Sequence, residues 1–93
     1  MKIYLADICY PDYFLGSPDL VLAVPVFKKM RYGQLLSSLI EEIEQTEEIE
    51  DFDGAVKAAK KCFKGEDLRK TVPGLQDIEP DGDTIYAYFI ITQ

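Results

Sequence analysis

Residues 84–92, with the sequence TIYAYFIIT, constrain the fold of this chain more than any other segment. The segment is rich in β-branched and aromatic side chains, which favour extended backbone, so we predict a strand here. Its side chains alternate between two apolar faces, with Ile85, Ala87, Phe89 and Ile91 on one and Tyr86, Tyr88 and Ile90 on the other. A strand that is apolar on both sides is typical of the centre of a sheet.

Two more strands are predicted near the start of the chain. Residues 2–8 alternate, with Ile3 and Leu5 on one face and Tyr4, Ala6 and Ile8 on the other. Residues 20–27, LVLAVPVF, form a continuous apolar run. Because proline has no N–H to donate, Pro25 predicts that this strand ends there, bulges there, or lies at a sheet edge.

Two helices are predicted between these strands and the last one. Residues 32–45 carry an apolar face at helical spacing, made of Leu35, Leu36, Leu39, Ile40 and Ile43. Residues 51–64 are predicted to bury a face made of Phe52, Val56, Ala59 and Phe63. The end signals of this second helix agree: Asp51 or Asp53 can cap its start, lysines occupy its last turn, and Gly65 follows.

A short strand at 75–79 and a turn at 80–82 complete the prediction. The expected fold is therefore a single α+β domain over residues 1–93 with the order β-β-α-α-β-β. We expect a three- to four-stranded, mostly antiparallel sheet with two helices on one face.

Charge and composition exclude several functions. The net charge of −7 disfavours direct contact with nucleic acid and with anionic membrane surfaces, and no apolar run is long enough to span a bilayer. The chain has no histidine, so it lacks the commonest general base and zinc ligand, and no cofactor or metal motif is present. Without a signal peptide, a cytoplasmic protein is expected, with Cys9 and Cys62 as free thiols.

The most distinctive polar segment is residues 41–53, in which eight of thirteen positions are acidic. One interpretation is a surface that imitates nucleic acid phosphates and binds a basic protein, with Glu44, Glu47 and Glu48 as candidate contacts. The other is a solvated helix end and connector. Four lysines follow at Lys57, Lys60, Lys61 and Lys64. They could bind an anion, form a solvated helix face, or neutralise the acids.

Aromatic side chains give a second candidate surface. The helices can cover one side of the sheet, so Tyr86, Tyr88 and Ile90 are expected on the other, extended by Tyr4 if the first strand lies beside the last. Such a face predicts a homodimer or a protein partner. The loop at 9–19 carries Tyr10, Tyr13 and Phe14, which either join a binding surface or fold back over this face.

Four acids around the predicted turn, Asp77, Glu79, Asp81 and Asp83, resemble oxygen ligands for calcium but lack the spacing of an EF-hand loop. A polar turn explains them better.

By elimination, the sequence predicts a small acidic protein-binding module, such as an inhibitor or accessory factor from a mobile element. The alternative is a small enzyme that uses carboxylate, tyrosine or cysteine chemistry. A deep pocket with convergent polar groups would favour the enzyme.

Overall fold

The computed structural model describes residues 1–9, 20–75 and 85–92, which form an α+β fold. This part of the chain contains three strands and two helices: β1 (Lys2–Cys9), β2 (Leu20–Val26), α1 (Tyr32–Gln45), α2 (Phe52–Cys62) and β3 (Ile85–Thr92).

The last strand lies at the centre of the sheet, as its two apolar faces predict. The strand order is β1-β3-β2, and β3 pairs antiparallel with both neighbours. Phe89 lies opposite Leu5 on one side and Leu22 on the other. Pro25 lies in β2, an outer strand of the described sheet, where a missing N–H is tolerated. Among the described strands, Pro25 therefore has the edge position, which is one of the three outcomes predicted for it.

A β-bulge in β1 changes which side chains face the core. The pairing register shifts between Leu5 and Asp7, so Ala6 is an extra residue and Ile8 lies opposite Ala87. Ile8 therefore packs against the core. The prediction that Ile8 shares a face with Tyr4 is wrong, because one inserted residue reverses the alternation beyond it.

Helix α1 has the predicted bounds and buries the predicted face, with Leu35, Leu39 and Ile43 inaccessible to solvent or nearly so. Its first N–H groups are satisfied by backbone rather than by a short polar cap. Tyr32 donates to the Lys70 carbonyl at 3.0 Å, and Gly33 donates to the Leu68 carbonyl at 2.8 Å. A Cβ at position 33 would lie 3.1 Å from that carbonyl oxygen, so glycine permits this close approach.

Helix α2 begins and ends with the predicted signals and buries part of the predicted face, since Ala59 and Phe63 are buried. The Asp51 carboxylate accepts from the Gly54 N–H at 3.0 Å, and Gly65 has a φ of +91°. The helix residues that are buried are small: Ala55, Ala58 and Ala59. Phe52 is instead 42% exposed, so its predicted place in the core is wrong. Small side chains let this helix lie close to its neighbours. The sequence pattern did not predict this, because phenylalanine is more hydrophobic than alanine and is therefore expected in the core first.

The core joins the helices to the sheet. Helix α1 packs against β2 and α2, and α2 packs against β1. A chain of aromatic contacts crosses these elements: Phe63 meets Tyr32 edge-on and Phe89 at a tilt, each with ring centroids 6.0 Å apart. Leu75 is fully buried, whereas the rest of the predicted strand at 75–79 and the turn at 80–82 lie outside the described residues.

Candidate functional site

The acidic surface comprises carboxylates at the end of α1, in the connector, and at the start of α2. Its exposed members are Glu41, Glu44, Glu47, Glu48, Glu50, Asp51 and Asp53. The three acids predicted as partner contacts, Glu44, Glu47 and Glu48, are therefore all accessible to solvent.

Two buried isoleucines fix the backbone that carries these acids. Ile43 is 2% exposed and Ile49 is 8% exposed, so the chain is anchored in the core on both sides of the helix end. Between them, the Thr46 hydroxyl donates to the Glu42 carbonyl at 2.6 Å, and the Ile49 N–H donates to the Thr46 carbonyl. The connector therefore has defined geometry that directs the intervening glutamates to solvent.

The acidic surface has no cationic partner within the described chain. The ion pair found there joins Arg69 to Asp67 at 3.5 Å and involves neither the acids of this surface nor the lysines at positions 57, 60, 61 and 64. The suggestion that those lysines neutralise the acids therefore finds no contact to support it among the described residues. Asp51 caps α2, and Asp53 lies in its first turn, where the helix dipole favours an anion.

The position of the acids at the end of α1 also opposes the helix dipole. Free carbonyl groups make the C-terminal end of a helix negative, so cations are favoured there and anions are not. The last turn of α1 holds no basic residue, and Glu42 and Glu44 lie in it. These glutamates therefore reduce helix stability slightly instead of increasing it.

Lysines of α2 and of the turn after it form a second charged surface, which we call the lysine stripe. Lys57, Lys60, Lys61 and Lys64 are all exposed. The spacing of three and four residues places Lys57, Lys60 and Lys61 on one side of the helix, and Lys64 lies two residues past its end. An open groove of about 560 Å³ runs beside the stripe, lined in part by Gly54, Lys57 and Lys61.

The tyrosine-rich face of the sheet is only partly accessible. Cross-strand pairing places Tyr4 opposite Ile90, with Tyr86 and Tyr88 farther along β3, the two rings 6.1 Å apart. Tyr4 is 40% exposed, but Tyr88 is 6% exposed. The Tyr88 ring is therefore not accessible surface in the single chain. Tyr10, Tyr13 and Phe14 lie outside the described residues.

Cys62 is a free, half-buried thiol beside β1. Burial raises the pKa of this thiol, and a backbone hydrogen bond with Leu5 partly opposes the shift. A raised pKa keeps the thiol protonated at neutral pH, and the thiolate is the reactive form. This environment is that of a structural cysteine, not of an activated nucleophile.

We predict two free thiols, with Cys62 slow to react in the folded state. Alkylation with iodoacetamide at pH 7.5 should modify Cys62 at least about tenfold more slowly in native than in urea-unfolded protein, because both access and thiolate fraction fall on burial. Mass spectrometry of the denatured protein should count two modified cysteines. A count of zero in monomeric protein would show an internal disulfide and contradict the prediction.

Within residues 1–9, 20–75 and 85–92, no group of three or more cysteines and acids is arranged to hold a metal ion. The acids at Asp77, Glu79, Asp81 and Asp83 lie outside those ranges. In the same part of the chain, neither helix has the length and apolar character needed to cross a membrane.

Sequence reasoning missed the residue that shapes the acidic surface. Ile49 is an isolated apolar side chain between acids, and its burial is what turns the connector back toward the core. A single large aliphatic residue inside a charged run is the signal that could have identified this anchor.

Comparisons with protein-family models, with curated proteins and with solved structures give no match to this chain.

Proposed function

We propose that the protein is a small protein-binding module that docks its acidic surface onto a basic patch of a partner protein. Such a patch is what a nucleic-acid-binding protein presents to phosphates, so the module would act as an inhibitor or accessory factor of the kind that mobile elements encode. The observation that carries the proposal is the exposed, anchored and unpaired set of carboxylates at the end of α1.

The placement of these acids favours a functional role over a structural one. Glu42 and Glu44 oppose the dipole of α1, and like charges in the connector repel one another. Local choices that weaken a fold without a compensating contact are expected at functional sites. The anchors Ile43 and Ile49 also hold the backbone of these residues in place before binding, which reduces the backbone entropy lost on docking.

The net charge of −7 adds a long-range electrostatic attraction to the direct contacts of the acidic surface. A protein of one dominant sign attracts a partner of the opposite sign before contact and raises the association rate, and salt screens this effect. Binding that depends on the acidic surface should therefore weaken as ionic strength rises.

The proposal also takes both helices to lie on the sheet face that carries Phe89. The contact of Phe63 with Phe89, together with the packing of α1 on β2 and α2 on β1, supports this arrangement. The acidic surface then belongs to the helical layer, away from Tyr4 and the tyrosine-rich face.

Reversing Glu44, Glu47 and Glu48 to lysine is expected to abolish partner binding without weakening the fold. The melting temperature should stay within about 2 °C of the wild type or rise, because the changes relieve repulsion and place a cation near the end of α1. The measurement is capture of basic proteins from the native host by the immobilised chain, read by mass spectrometry, alongside thermal unfolding.

A matched pair of double variants distinguishes the effect of the acidic surface on binding from the effect of net charge. Glu47→Lys with Glu48→Lys changes the charge as much as Asp7→Lys with Glu66→Lys, and all four side chains are exposed. The first double should lose the captured partner and the second should keep it. Equal loss would show a general charge effect, and a large drop in melting temperature would show that the acids support the fold.

A further inference from the structure

The outer side of α2 carries charges of both signs in a fixed order. Acids occupy the connector and the first turn, including Glu50 and Asp53, and the lysine stripe follows along the rest of the helix and just past its end. The two charged surfaces are therefore adjacent along the chain.

This order makes the surface complementary to a second copy of itself. In an antiparallel arrangement, a two-fold axis near Gly54 would place the acids that precede the helix in one copy against the lysines of the other, and the reverse contact would form at the same time. Gly54 and Ala58 border the open groove beside the stripe, so little side-chain bulk separates the two helices there.

We propose that a second copy of this chain docks its lysine stripe on the acidic surface in an antiparallel two-fold dimer. The inference rests on the proposed function, since it assigns a partner to the same acidic surface. It uses charges that have no ion-pair partner among the described residues of a single chain. The burial of Tyr88 also favours this surface over the tyrosine-rich face.

A nucleic acid fits the lysine stripe less well than a second copy does. Phosphates that approached Lys57 would also meet Asp53 and the connector glutamates, which repel them. A second copy instead brings a lysine to each acid and an acid to each lysine. The chemistry of the surface thus selects a partner with alternating charge.

The dimer is expected to be weak and sensitive to salt. Exposed ion pairs contribute modestly and are screened, and a contact along one short helix is smaller than that of a stable dimer. Light scattering coupled to size exclusion, at 20 mM and at 500 mM NaCl over a concentration series, should show a mass rising toward twice 10.6 kDa at low salt. The dissociation constant should increase at least about tenfold at high salt.

Charge exchange tests the arrangement itself. The variant Lys57→Glu, Lys60→Glu, Lys64→Glu should be monomeric, because both contacting surfaces become acidic. The variant Glu47→Lys, Glu48→Lys, Glu50→Lys should also be monomeric, because both become basic. Mixed in equal amounts, the two should form a heterodimer, although both retain a negative net charge.

A charge-matched control isolates the stripe. Lys28→Glu, Lys29→Glu, Lys70→Glu removes three exposed lysines outside α2 and should leave the wild-type dissociation constant unchanged within about twofold. Wild-type protein that stays monomeric at low salt, or mixed variants that fail to associate, would overturn the dimer. The proposed function would survive that result if acid reversal still abolished capture of a different basic protein.

Discussion

Replacing Phe89 by alanine is expected to lower the free energy of unfolding by about 3–5 kcal/mol. Phe89 is fully buried on the central strand and contacts Phe63 beyond the end of α2. Truncation therefore removes apolar contact with the sheet and the helical layer at once and leaves a cavity that a close-packed core fills poorly. Since small domains have a total stability of about 5–15 kcal/mol, a large part of the stability would be lost.

Urea unfolding followed by circular dichroism measures this effect. The midpoint should fall while the slope of the transition stays constant, which indicates a change in stability rather than in the extent of unfolding. Phe27→Ala is the matched control, because Phe27 is 49% exposed and should lose less than about 1 kcal/mol. Equal effects at the two positions would contradict the burial that places Phe89 at the centre of the core.

Replacing Tyr88 by glutamate is expected to destabilise the fold by several kcal/mol, because it introduces a charge at a site that is 6% exposed. Burial would raise the pKa of the new carboxyl above its unfolded value of about 4.3. With a raised folded pKa, the protonated form is tolerated below pH 4 and the penalty grows as pH rises through the unfolded pKa. The variant should therefore lie closer to wild type at pH 4 than at pH 7.

The control lies on the same face of the sheet. Tyr4→Glu replaces a side chain that is 40% exposed and should cost less than about 1 kcal/mol at either pH. Thermal unfolding of both variants at the two pH values provides the comparison. A Tyr88→Glu protein that is as stable as wild type but changes from dimer to monomer would show that the tyrosine-rich face, and not α2, joins the subunits.

Local chemistry made the main elements of the fold predictable. Residues 85–92 have strand-forming side chains on both faces, which specifies a central position before any pairing is known. Helix α1 has a strong apolar period, and α2 has an Asp cap and lysines in its last turn. These signals depend on neighbours within a few residues.

Features that depend on distant contacts were not predictable in the same way. The bulge at Ala6 is part of the pairing of β1 with β3. The residues around Ala6 carry no sequence signal that predicts this shift in register. The burial of Ala55 and Ala58 in place of Phe52 follows from the packing of α2 against α1 and β1. The backbone cap of α1 comes from Leu68 and Lys70, more than thirty residues later in the chain.

In the candidate site, too, the features set by local sequence were predictable and those set by distant contacts were not. The exposure of Glu44, Glu47 and Glu48 follows from their charge and was predicted, whereas the anchoring of their connector by Ile49 required the tertiary structure. The exposure expected for Tyr88 failed for a similar reason. A strand pattern states which face a residue occupies but not what lies above that face.

The order β1-β3-β2 has a consequence for how the chain reaches its native state. Lys2 pairs with Thr92 and Leu20 pairs with Ile91, so each described strand pairing joins segments that are far apart in sequence. Because β3 follows both helices, a chain growing from its N-terminus holds β1 and β2 without their described partner until β3 has been synthesised. Contacts of such long sequence separation slow folding, since the entropy of closing a long loop is lost before the contacts form. The contact between α1 and α2, by contrast, is local, so we expect it to form before the sheet does.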